Sequence, residues 1–131
     1  NNNVDVKLIP NEKIDIIPYY KISDLLISDI SSTIFEYLPL DKPIIQAECF
    51  TLRLKHKIFN KRFMKRIDKN RSRDVDFVYK ISRPEDLLSR IYFALDYPNE
   101  LSGERAEACK KFLFKTDGNA SKRLIEAIEN F

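Results

Sequence analysis

Asp24-Leu25-Leu26-Ile27-Ser28-Asp29-Ile30-Ser31-Ser32-Thr33-Ile34-Phe35-Glu36-Tyr37-Leu38 is the stretch on which the fold turns. Leu25-Leu26-Ile27 is a short continuous apolar run, bounded by Asp24 and by Ser28-Asp29. Such a run fits a strand buried on both faces, as strands of a parallel sheet are. The period then changes. Ile34, Phe35 and Leu38 recur at helical spacing, preceded by the cap-competent residues Ser31, Ser32 and Thr33. A buried strand, a tight polar turn and a helix follow one another within fifteen residues.

Downstream, Asp41-Lys42-Pro43 turns the chain into Pro43-Ile44-Ile45, a second short strand. Two strands joined by one helix make a βαβ unit, whose strands run parallel with a right-handed crossover. Asp76-Phe77-Val78-Tyr79 reads as a further strand. Ser82-Arg83-Pro84-Glu85-Asp86 reads as a helix start with Ser82 as cap, and Leu87, Leu88, Ile91 and Ala94 or Leu95 as its apolar face. A helix from about Ser102 to Phe114 is expected to end near Asp117-Gly118. Asn119 or Ser121 then caps a last helix bearing Leu124, Ile125 and Ile128. Upstream, Val4 to Ile9 alternates as a strand does, ended by Pro10-Asn11. Ile16 to Ile22 reads as a short helix entered at Pro18, with Tyr19 and Ile22 on one face. The expected class is α/β: a parallel sheet flanked by helices, with a helical tail, in one domain over residues 1–131.

Composition narrows the function classes. With 44% hydrophobic residues and only two glycines, the chain is neither low-complexity nor disordered. It contains no apolar run of about 18 residues, the length that spans a bilayer as a helix. Cys49 and Cys109 stand far apart, with no metal-ligand spacing and His56 as the one histidine. They read as reduced, packed thiols, so no metal or cofactor is expected and the chain reads as cytoplasmic. Net charge is +3, but Arg53 to Arg73 carries +9 and the rest −6. In the charged stretch Phe59, Phe63 and Ile67 recur every four residues, with Lys61, Arg62, Lys65, Arg66 and Lys69 around them. That is a basic amphipathic helix, suited to an anionic membrane surface or a polyanion. It is equally a helix that packs its apolar stripe and solvates its charges. Nucleic acid is the weaker option, since no aromatic-rich recognition motif accompanies the charge.

In open α/β sheets, ligands sit beyond the carboxyl ends of strands, against helix N-termini. The first N–H groups of the helix after Ser32 lack internal partners and carry partial positive charge. Ser31 and Ser32 add hydroxyl donors there, with Asp29 and Thr33 supporting the turn, so the turn can hold a diphosphate. Glu36 lies one helical turn beyond Ser32 on the same face, placed to accept both hydroxyls of a ribose. A competing reading needs no ligand. Thr33-x-x-Glu36 has capping-box spacing, and Ser31 and Ser32 serve as caps in many helices.

Asp24-Leu25-Leu26-Ile27-Ser28-Asp29-Ile30-Ser31-Ser32-x-x-Phe35-Glu36, followed by Leu40-Asp41-Lys42-Pro43-Ile44-Ile45, resembles the CDP-glycerol glycerophosphotransferase family. Asp117-Gly118-Asn119-Ala120-Ser121-Lys122-Arg123 resembles that family's motif before its closing helix, and Ser82 to Leu88 sits where the family starts another. The resemblance implies a GT-B architecture of two Rossmann-like domains, with this chain a part of the C-terminal, donor-binding one and an N-terminal domain still to be supplied. It implies that Ser31 and Ser32 bind the phosphates of a nucleotide-diphosphate donor and Glu36 its ribose. It also implies an enzyme that extends teichoic-acid-like or capsule polymers from CDP-glycerol, using an anionic polymer or lipid-linked acceptor near the inner face of the membrane. The chain departs from the family at Ile30, where a Tyr is usual, and in its basic stretch, so a nucleotide-sugar donor stays open. The family's catalytic histidines have no counterpart here; His56 is not assigned their role, and this chain by itself is expected to be inactive. Two further readings stand beside this one: a non-catalytic domain that docks on membrane or polyanion, and another GT-B enzyme such as a nucleotide-sugar epimerase.

Overall fold

The computed structural model describes residues 6–9, 15–49 and 75–130. Three parallel strands, β1 (Leu26–Ser28), β2 (Ile44–Ala47) and β3 (Tyr79–Ile81), form a sheet in the order β1-β2-β3. Leu26 pairs with Ile44 and Ser28 with Gln46, while Ile45 pairs with Tyr79 and Ala47 with Ile81. Helices α1 (Ile17–Ile22) and α2 (Thr33–Tyr37) flank β1 in sequence, and α2 continues as a 3₁₀ turn over Leu38–Leu40. After β3 come a 3₁₀ turn (Pro84–Asp86), then α3 (Leu87–Asp96), α4 (Ser102–Leu113) and α5 (Ala120–Glu129). The arrangement is α/β and Rossmann-like: a parallel sheet with helices on both faces.

Alternation along β2 explains the two layers, because successive side chains point to opposite faces. Ile44 faces a cluster of Tyr20, Ile34, Tyr37, Leu38, Phe77 and Ala108, which brings α1, α2 and α4 onto one side. Ile45 faces Tyr79, Ile81 and Ala94, with Leu87 and Ile91 of α3 against them. Both isoleucines are fully buried, each contributing about 1.5–3 kcal/mol relative to exposure. Phe35 packs edge-on against Phe77 and Phe112 (centroids 5.9 and 5.2 Å), and those two rings lie tilted to each other at 6.4 Å.

Several expectations need correction. Val6 to Ile9 forms no strand, and Val6 and Leu8 are exposed; Val4 and Pro10-Asn11 lie outside the described residues. In α1 it is Tyr20 that is buried, whereas Ile22 is 78% exposed, because a six-residue helix turns only one narrow face inward. β1 is not buried on both faces: Ile27 is 45% exposed. It shares a face with Ile45, but α3 covers the β2–β3 side and β1 lies at the other edge of the described sheet. The third strand begins at Tyr79, while Val75, Phe77 and Val78 are buried in the approach to it. Ser82 makes no cap; Arg83 precedes the 3₁₀ turn and pairs through both Nε and Nη2 with Asp86. On α3 Ala94 is buried, but Leu88 and Leu95 face outward. The α4 helix keeps the expected extent to within a residue, ending at Leu113 with Phe114 in a positive-φ conformation (53°), while Gly118 (φ 73°) serves the turn into α5 rather than the helix end. Leu124, Ile125 and Ile128 form the expected stripe of α5, yet no residue of that helix is buried.

Candidate functional site

The carboxyl end of β1 delivers the chain into the turn 29–32 and so into α2. Hydroxyls lock this corner. Ser28 Oγ and Thr33 Oγ1 lie 2.9 Å apart, joining the last strand residue to the first helical one. The Ser31 N–H donates to the Asp29 carbonyl (2.9 Å), and the Thr33 N–H approaches Ser31 Oγ at 3.4 Å. Phe35 and Glu36 N–H groups donate to the Ser32 carbonyl, which starts the helix. Ser32 holds the N-cap position but makes no side-chain cap hydrogen bond, and it is exposed. Its hydroxyl therefore stands at the positive end of α2 without serving the helix.

Glu36 does not close a capping box on Thr33, whose hydroxyl is paired with Ser28 instead. Its Oε2 accepts from the Tyr20 hydroxyl at 3.4 Å, across the α1–α2 contact. Burial first, and then the charge and hydrogen bond of Glu36, push the Tyr20 phenol above its ordinary pKa. Register adds Gln46 and Lys80 to the face of the sheet that bears Ser28. Gln46 is buried, donates its amide to Glu48 Oε1 at 3.0 Å and leaves Oε1 without a hydrogen-bond partner. A polar end thus forms where the apolar part of that face stops.

Asp29, Ser31, Ser32 and Thr33 lie in the passage from β1 into α2, and Glu36 follows on that helix. Lys61, Arg62, Lys65, Arg66 and Lys69, like His56, lie outside the described residues. Tyr20 and Ser28 were missed. Ser28 was legible as the last polar residue of an apolar run, but no local pattern links Tyr20 to a residue sixteen positions later. Lys42 Nζ also takes a structural part, donating to the carbonyls of Lys21 (2.9 Å) and Ser23 (2.6 Å) at the end of α1. A cleft of about 420 Å³ lined by Asp24, Asp41, Lys42, Pro43, Leu95, Pro98 and Asn99 opens at the opposite, amino edge of the sheet.

Residues 4–130 match the family model of CDP-glycerol:poly(glycerophosphate) glycerophosphotransferases. The chain belongs to this family. No curated protein and no solved structure matches it. Family membership covers both motifs that carried the resemblance, the Ser-Ser turn and the Asp117–Arg123 segment. In the second, Arg123 Nη1 donates to both Asp117 carboxylate oxygens (2.8 and 2.9 Å), and the Asn119 N–H donates to the same carboxylate (3.0 Å). Gly118 supplies the left-handed residue between them. That motif is a fastening for α5. Among the described residues of this glycerophosphotransferase-family chain, no helix is long and apolar enough to cross a membrane.

Proposed function

We propose that this chain forms the donor-binding part of a GT-B glycerophosphotransferase, holding CDP-glycerol at the carboxyl end of β1. The observation that carries the reading is Ser32: an exposed hydroxyl at a helix N-cap that the helix does not use. With the Ser31 hydroxyl and the positive end of the α2 dipole, it faces the donor's phosphates, while Glu36 accepts from the ribose hydroxyls. An acceptor hydroxyl gives its proton to a base outside this donor-binding part and attacks the phosphorus that bears glycerol. The phosphoanhydride bond breaks, and cytidine monophosphate leaves with the bonding electron pair. Charge grows on the phosphate oxygens of the leaving group, where the helix N-terminus is oriented to stabilise it. The acceptor is a polyanion, a teichoic-acid-like or capsule polymer, and the +9 segment from Arg53 to Arg73 complements it or the anionic membrane beside it. A nucleotide-sugar donor is the competing substrate, with transfer of the sugar and release of the nucleoside diphosphate.

Calorimetric titration with CDP-glycerol, CDP, UDP and inorganic phosphate tests the assignment. Binding of the cytidine ligands over UDP and phosphate, weakened on Glu36→Ala, supports it. Preference for UDP turns the reading toward a sugar donor, and binding of phosphate as tight as CDP removes the ribose role of Glu36.

A further inference from the structure

Tyr20 is 4% exposed, yet its hydroxyl reaches the exposed carboxylate of Glu36. Its ring is clamped edge-on against Tyr37, centroids 5.4 Å apart at 84°, and Tyr37 is itself fully buried. The backbone beneath is pinned as well. Ser23 Oγ donates to the Tyr20 carbonyl (3.1 Å) and lies 3.0 Å from the Tyr37 hydroxyl. Lys42 Nζ binds the carbonyls that end α1. The phenol oxygen therefore has little freedom, and a buried hydroxyl is costly unless it is hydrogen-bonded. A Glu side chain on an open helix face samples many rotamers, and fixing it costs up to about 2 kcal/mol of entropy.

We propose that Tyr20 is a positioning residue of the donor site: its phenol holds Glu36 Oε2, so that Oε1 is presented to the cis-diol of a ribonucleotide. The proposal rests on the ribose role of Glu36. Tyr20 does not touch the ligand; it removes the rotamer search that the ligand would otherwise have to end. Discrimination for the diol, rather than phosphate binding, is what Tyr20 contributes.

The test titrates the wild-type chain and Tyr20→Phe with CDP and with 2′,3′-dideoxy-CDP, and records thermal melting of both proteins. Phe keeps the ring contact with Tyr37 and deletes only the hydroxyl. CDP affinity is expected to fall roughly three- to tenfold, with the dideoxy ligand unaffected, as for loss of one hydrogen bond. In a Glu36→Ala background the same change is expected to have no further effect on CDP. Unchanged CDP affinity in Tyr20→Phe overturns the proposal, and so does an equal loss for both ligands, which marks a purely structural hydroxyl. A wild-type chain that binds neither nucleotide overturns the donor site itself, a result distinct from the failure of Tyr20 alone.

Discussion

Asp41 sits in the left-handed region (φ 50°) between the 3₁₀ turn and β2, and its carboxylate bridges to α4. Oδ1 receives Arg105 Nε at 2.7 Å and Oδ2 receives the Ser102 hydroxyl at 2.6 Å. The guanidinium is 1% exposed and also donates to the Asp41 and Pro98 carbonyls, so the pair ties the β2 entry to the α4 start. Burial pushes the Asp41 carboxyl up, but the Ser102 and Arg105 hydrogen bonds and the Arg105 charge outweigh it and hold the pKa below the usual carboxylate range. A depressed native pKa adds stability above the unfolded value of about 3.9, lost as pH falls through the native one. Asp41→Asn suits the same backbone conformation but strands the buried guanidinium. It is expected to cost about 1–3 kcal/mol at pH 7, discounted because the carboxylate side is half exposed. Urea titrations of both proteins from pH 7 downward are expected to show the gap closing in acid. Ser32→Val, at an exposed N-cap without a cap bond, is expected to melt within a few degrees of wild type and to lose CDP binding. Calorimetry and thermal melting check the two halves, and retained CDP affinity removes Ser32 from the site.

Helices in this chain are held in different ways. α2 and α3 are fixed by packing, since Ile34, Tyr37 and Ala94 are buried in the two core layers. α5 buries no residue and is fastened at its first turn, through Asp117, Arg123 and the Phe114 ring under the guanidinium at 5.9 Å. The asymmetry makes the Gly118 turn decisive for α5 alone. A Cβ at Gly118 meets nothing within 4 Å, so Gly118→Ala acts only through its positive φ, at a cost of about 1 kcal/mol. Faster amide exchange confined to α5, with α2–α4 unchanged, is the expected signature. The amphipathic pattern of Leu124, Ile125 and Ile128 was legible from spacing, but spacing reports which residues share a face, not whether anything covers it.

Among the described residues the central strand β2 gives one fully buried isoleucine to each layer, Ile44 and Ile45, so it carries the fold. Ile45→Ala removes a fully buried side chain between β3 and α3 and is expected to lower unfolding free energy by about 2–5 kcal/mol, read from denaturant midpoints. A loss well below that range would mean that α3 collapses onto the cavity. The order of strand, turn and helix at Asp24–Leu38, the parallel βαβ unit and the family were all legible in the chain, because hydrophobic period and turn chemistry are local properties. Ser31, Ser32 and Glu36 stand at the start of α2, the helix that the sequence places there. The start of the third strand was displaced to Tyr79, because Val75, Phe77 and Val78 are buried in the approach to it, whereas the helix over Ser102–Leu113 kept the expected bounds to within a residue. Only the tertiary structure decided which side of β1 stays open, that Glu36 meets Tyr20 rather than its own helix cap, and that Asp41 bridges to Arg105. Those contacts join residues 16 and 64 positions apart, and a side chain's partner at such separation is set by how the layers close around the sheet.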